Sequence, residues 1–190
     1  MKFLVLGLVL LLGVHSIAIV APQWRERVAL RLGLQLWRGL YSLLSLAGLL
    51  LIIHGFALAR AAPIVWYVPG AGLRSLTRVL MLPAFPLLLA AYLPGRIQAA
   101  VKHPLLAAVK LWALAHLLSN GNAADVLLFG SLLVWAVADR ISLKRRPARG
   151  LRGAKPSRWN DLIALVLGLA LYAMFMSWAH LKLIGVSPQG

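Results

Sequence analysis

Residues 102–138, KHPLLAAVKLWALAHLLSNGNAADVLLFGSLLVWAVA, are two apolar runs separated by SNGN. A His-Pro step opens the first run. Proline holds the residue before it extended and is itself suited to the first turn of a helix, so Pro104 marks a helix start. SNGNA reads as a tight helix-to-helix turn, with Gly121 supplying a permissive backbone. The runs Pro104–Leu118 and Ala123–Ala138 therefore predict a helical hairpin. Each is somewhat short of the about 20 apolar residues that cross about 30 Å of hydrocarbon. The pattern recurs in Phe3–Val20, Gly39–Ala59, Leu76–Leu93 and Asn160–Ile184. The predicted fold class is all-α: a polytopic membrane helix bundle of about six spans, forming one transmembrane domain over residues 1–190.

Composition excludes most alternatives. Of 190 residues 62% are hydrophobic, more apolar surface than one small soluble core could bury. The acids are Glu26, Asp125, Asp139 and Asp161, too few for an ordinary aqueous catalytic domain. No stretch outside the apolar segments is long enough to fold alone, so any chemistry belongs in the bilayer or at its surface. The absence of cysteine excludes disulfides, thiolate ligands and Cys nucleophiles. A net charge of +16 is spread between apolar stretches, which points to anionic lipid headgroups as counter-charge and away from nucleic acid.

Basic residues also set the orientation, because positive loops stay in the cytoplasm. With the N-terminus outside, the inner side holds Arg25, Arg27, Arg31 and Arg38, then Arg96 and Lys102, then eight more in a basic loop over 140–158. The outer side holds Lys2, Arg60, Arg74, Arg78 and Lys182. Both termini are thus predicted outside the cytoplasm. The first run has the look of a signal peptide, but Pro22 after Ala21 would hinder cleavage, so it is read as a retained helix. PQWRERVALRLGLQLWRG, residues 22–39, alternates arginine with Val, Leu and Trp, as a helix lying on the inner headgroups does. Trp24, Trp37, Trp135 and Trp159 mark the inner boundary, and Trp66, Tyr67 and Trp178 the outer one. Pro83 and Pro86 would kink or break the third span and free carbonyls that neighbours must satisfy. Gly39, Gly48, Gly130 and Gly168 permit close helix contacts within a chain or between chains, so an oligomer is allowed.

Ionisable groups inside hydrocarbon are costly and are functional candidates for that reason. His15, His54, His116 and His180 fall in or at the ends of apolar runs. Counting about 1.5 Å per residue puts His15 about 18 Å from the outer start of its helix and His116 about 18 Å from the inner start of its own. Both come out near the midplane, with His54 and His180 further out. Two neutral imidazoles at one depth, with no thiolate or carboxylate there to compete, suit an iron held between helices, and a haem suits them better than a bare ion. Each histidine could equally hydrogen-bond across a helix interface. Trp112 and Asn120 lie one turn either side of His116, as a ring to pack on a flat group and an amide to orient the imidazole, or as ordinary packing and capping residues. Lys110 is close enough to the inner boundary to snorkel. Arg25, Arg38, Arg96 and Lys102 are candidate propionate partners by charge. His103 is expected at the inner surface, as a cap or at the mouth of a pocket.

GVHSIAI, RGLYSLLSLAG, KHPLLAAVKLWALAHLLSNGNAADVLLFGSLLVWAVADRISLKRR and the six-run layout resemble the NnrU family over nearly the whole chain. The resemblance implies a bacterial inner-membrane protein linked to denitrification loci. That family is similar in turn to the 15-cis-ζ-carotene isomerases, membrane proteins that use haem b. Their ligands lie in VHS and Trp-x-x-Ala-His motifs, matched here by Val14-His15-Ser16 and Trp112-Ala113-Leu114-Ala115-His116. The likeness implies haem b on His15 and His116 and an apolar substrate of quinone or carotenoid type. One position departs: Ala113 stands where the isomerases carry a cysteine, so thiolate ligand exchange cannot occur here. Two other function classes compete. His-Pro before an apolar helix also resembles isoprenylcysteine carboxyl methyltransferases, although DRISLKRRPARG offers Asp139 and no Glu. A non-enzymatic assembly or transport partner needs only packed helices and basic loops.

Overall fold

The structure is a computed structural model that describes residues 1–146 and 153–188. Arg149 and Arg152 of the expected 140–158 loop lie outside the described residues. The described chain is helical: α1 Lys2–Val20, α2 Pro22–Leu32, α3 Leu34–Ala61, α4 Ala71–Met81, α5 Ala84–Ala90, α6 Arg96–Val101, α7 Pro104–Ser119, α8 Ala123–Ser142, α9 Asn160–Met174 and α10 His180–Ile184. A π-helical turn, Phe175–Ala179, joins the last two. By length and composition, four helices can cross a membrane: Lys2–Val20, Leu34–Ala61, Ala71–Ala90 taken across its proline break, and Asn160–Ile184. Of the six expected spans, these four meet the requirement. The shortfall has a physical cause. At 16 residues α7 is only about 24 Å long, and α8, long enough at 20 residues, carries Asp125, Asp139 and Arg140.

Two compact units divide the chain, Met1–Val68 with Gly121–Arg145 and Pro69–Asn120 with Arg146–Gly190. The first unit contains α1, α2, α3 and α8; the second contains α4 to α7, α9 and α10. The expected hairpin partners, α7 and α8, are thus assigned to different units, α7 packing on α4 and α5 and α8 on α1.

Packing follows membrane rules. Buried apolar residues are mostly alanines, and Leu4 is the largest side chain wholly enclosed. Leu43, Leu50, Val166 and Leu167 are more than half exposed, as side chains facing lipid tails are. Between helices in lipid the drive is close van der Waals fit, which small residues permit. In the first unit α1 and α3 cross at Gly7, Gly48 and Gly55. A Cβ on Gly48 would stand 2.8 Å from Leu11 N, and one on Gly55 2.7 Å from Phe3 C and 2.8 Å from Leu4 Cα. Of the four glycines expected at contacts, Gly48 and Gly168 are there, Gly168 against Pro86 of α5. Gly39 and Gly130 have nothing near the place a Cβ would take.

The amphipathic stretch after α1 splits. Ala21 (φ −139°, ψ 55°) ends α1 and Pro22 opens α2. Gly33, at φ 82°, turns the chain into α3, which absorbs the remainder of that stretch. Pro83 and Pro86 break the third span near its middle, between α4 and α5. Because Pro83 has no amide hydrogen, Leu82 N tightens onto Val79 O at 3.2 Å. The Arg78 carbonyl, which Leu82 N would otherwise have served, accepts instead from the Tyr172 hydroxyl of α9 at 3.0 Å.

Among the described residues Asp125 and Asn160 are the buried polar side chains, and both have partners. Asn122 caps α8 and donates to Asp125 at 2.9 Å, while the Asp125 charge sits in the first helical turn, where the helix dipole favours it. Asn160 donates to the carbonyls of Pro94 and Lys155, and Asp161 accepts from Arg96 N and Ile97 N.

Candidate functional site

Three histidines, His15, His116 and His180, fall in two ring clusters, one in each unit, while His54 stands edge-on to Phe3 at 5.4 Å. In the first, His15 of α1 faces Tyr41 of α3 at a centroid distance of 5.1 Å and stands edge-on to Trp135 of α8 at 5.8 Å and 87°. The ring series continues from Tyr41 to Trp37 (6.5 Å) and from Trp37 to Trp24 (6.3 Å). Arg25 covers the Trp37 ring at 6.0 Å. In the second unit, His116 of α7 lies 5.2 Å from Trp112 on the same helix face and stacks on His180 at 6.4 Å and 29°.

The same local bond orients both histidines. His15 Nδ1 lies 2.8 Å from Leu11 O, and His116 Nδ1 lies 2.8 Å from Trp112 O. A carbonyl can only accept, so Nδ1 carries the proton in each ring and Nε2 carries the lone pair. The helix itself supplies this bond, since the carbonyl four residues back lies directly beneath the ring. His180 is held differently, with Nδ1 2.7 Å from the carbonyl of Val186, six residues ahead and beyond the end of α10.

A match over nearly the whole length decides the family: the family described as NnrU protein fits residues 3–188. The chain belongs to the NnrU family. No curated protein and no solved structure matches it. The NnrU match spans both histidine clusters.

The remaining expected site residues of this NnrU chain distribute as follows. Arg25 is held on Trp37, and Arg38 is exposed on α3. Arg96 is exposed, with its backbone amide tied to Asp161. Lys102, exposed, takes a positive φ of 64°, rare for a residue with a side chain. His103 caps α7 through its carbonyl, which accepts from Ala107 N at 3.1 Å, and Pro104 occupies the first helical position. Asn120 proves to be the capping residue of the two readings: its amide donates to the His116 carbonyl at 2.9 Å and also to Ser119. Gly121 is required by close approach. Its carbonyl accepts from Trp66 N at 2.8 Å and Tyr67 N at 3.2 Å, and a Cβ would run into the Tyr67 carbonyl.

His180 corrects the depth count, which placed it well outside His116. Two features bring the rings together: α7 is short enough that His116 falls in its last turn, and the π turn at 175–179 re-aims the helix just before His180. Single π turns of this kind recur at functional sites. Thr77 adds a polar tie, its hydroxyl 2.9 Å from Ala115 O and 3.0 Å from Leu73 O, sharing one proton between α7 and its own helix. Trp135 and Tyr41 were the partners of His15 that spacing could not disclose, because they come from helices distant in sequence.

Proposed function

We propose that the protein binds haem b, with His15 and His116 furnishing the iron-ligating imidazoles, and works in redox or small-ligand chemistry in a bacterial inner membrane. The observation that carries this reading is the bond shared by both histidines, Nδ1–H to the carbonyl four residues earlier at 2.8 Å. Such a bond fixes the tautomer, stops the ring turning and raises the basicity of Nε2, which is how ligating histidines are commonly prepared. The donor set also suits iron in a porphyrin: neutral imidazoles with flat aromatic neighbours, Trp112 beside one and Tyr41 and Trp135 beside the other. Among the described residues no group of three or more His, Asp or Glu comes together, as a bare metal ion would want.

Bound haem supplies one-electron chemistry or a coordination position for a small molecule. The chain's part is to hold two imidazoles in one tautomer, keep water from them and offer cations to carboxylates at the ligand's edge. Arg25, Arg38, Arg96 and Lys102 are proposed for that last role by charge, with His103 beside them on the Lys102 side. By resemblance, the proposed setting is nitrite and nitric oxide metabolism, and the proposed partner is an apolar molecule of quinone or carotenoid type. Ala113 removes the thiolate that ligand switching in the isomerases needs.

The test is the absorption spectrum of the full chain purified from haem-replete cells, oxidised and reduced, with haem quantified as its pyridine complex. His15→Ala and His116→Ala are each expected to lower haem occupancy at least about tenfold, as loss of a metal ligand or its support does. A colourless wild-type protein, or a His116→Ala protein with an unchanged Soret band and stoichiometry, sinks the reading.

A further inference from the structure

Trp135 Nε1 is buried and has no hydrogen-bond partner, the sole such side-chain atom among the described residues. An indole N–H can only donate, and folded proteins rarely leave a buried donor unpaired, so the missing acceptor is to be sought outside the chain. Nearby acceptors do not serve: His15, edge-on at 5.8 Å, is not bonded to it. His15 of α1 touches both Trp135 of α8 and Tyr41 of α3, so three rings from three helices meet at His15, all within the first unit. Trp135 is itself part-exposed, and Val134 beside it on α8 is 69% exposed, so the ring lies next to a strip of that helix that faces lipid tails and molecules dissolved among them.

We propose that Trp135, His15 and Tyr41 form a binding site for a flat, apolar, conjugated ligand whose acceptor oxygen takes the Trp135 indole N–H. The oxygen is either a carboxylate at the edge of a haem or the carbonyl of a lipid-soluble quinone. In the first case the site rests on the function proposed above and adds Trp135 to it; in the second it stands by itself. Flatness follows from the aromatic walls, apolarity from the route of entry, and the acceptor from the one unsatisfied donor.

The experiment uses the full chain in lipid nanodiscs with indole nitrogens labelled, titrated separately with haem b and with decylubiquinone. Trp135→Phe keeps an aromatic ring and deletes the N–H. It also identifies the Trp135 indole resonance, and Trp135→Tyr does so where the Phe variant fails to accumulate. The expected result is that one probe moves the Trp135 N–H resonance downfield in the wild-type protein and binds about tenfold more weakly to Trp135→Phe. Haem as that probe identifies the carboxylate, decylubiquinone the quinone carbonyl. If neither probe moves the resonance, or if Trp135→Phe binds both like wild type, the proposal is overturned. If His15→Ala and His116→Ala keep full haem occupancy while decylubiquinone binding still depends on Trp135, the haem reading falls and this site stands.

Discussion

At the scale of single residues, the chain uses its few polar groups to satisfy its own backbone. Nδ1 of His15 and of His116 is held by a carbonyl one turn below, and Nδ1 of His180 by the Val186 carbonyl six residues ahead. Tyr67, in the link between α3 and α4, is a titratable residue outside the spans. Burial, and after it the negative charge of Asp125, push its phenol above the usual value of about 10. Because the fold favours the neutral phenol, this stabilisation is complete below the unfolded value and is lost as pH rises through the higher folded one. Tyrosinate absorbance near 295 nm is therefore expected to include one alkaline-shifted component that Tyr67→Phe removes, and the variant should lose less stability between neutral and strongly alkaline pH. An unchanged titration curve in Tyr67→Phe would refute the assignment.

At the scale of elements, α1 and α3 are joined by absent side chains. Gly55 presses on the backbone of Phe3 and Leu4, so one added methyl forces the helices apart. Overpacking of this kind costs about 1–3 kcal/mol. Gly39, on the same helix, has open space around it, and there alanine improves helix propensity by roughly 0.5–1 kcal/mol. The same substitution should thus act in opposite directions: Gly55→Ala lowers the thermal aggregation midpoint in detergent, and Gly39→Ala leaves it unchanged or raises it. Equal midpoints for the pair would show that the crossing is not close-packed. The broken third span follows related logic, since Pro83 deprives Arg78 of its helical donor and α9 provides Tyr172 in its place.

At the scale of the whole molecule, charge decides orientation. Fourteen Lys and Arg fall on one side of the six-run layout and five on the other. Four crossings or six return the chain to its starting side, so both ends are expected outside the cytoplasm. Alkaline phosphatase fused to the C-terminus should be active and green fluorescent protein there dark; a bright fusion reverses the topology. Much of this architecture was legible in the sequence, because the need to bury every backbone polar group in lipid turns long apolar runs into helices, and the start at Pro104 followed from local chemistry. His15, His116 and Trp112 were legible too, as ionisable or aromatic groups where lipid tolerates few. What the sequence could not disclose is which helix faces which. Counting rise along ideal helices set His180 apart from His116, whereas packing within the second unit stacks the two rings. SNGN does end one helix and precede the next, yet α7 and α8 fall in different units. Periodicity carries the depth and face of a residue along its own helix. The rings around His15, the glycine crossing of α1 with α3 and the unpaired indole of Trp135 depend on helices far apart in sequence, and only tertiary packing chose them.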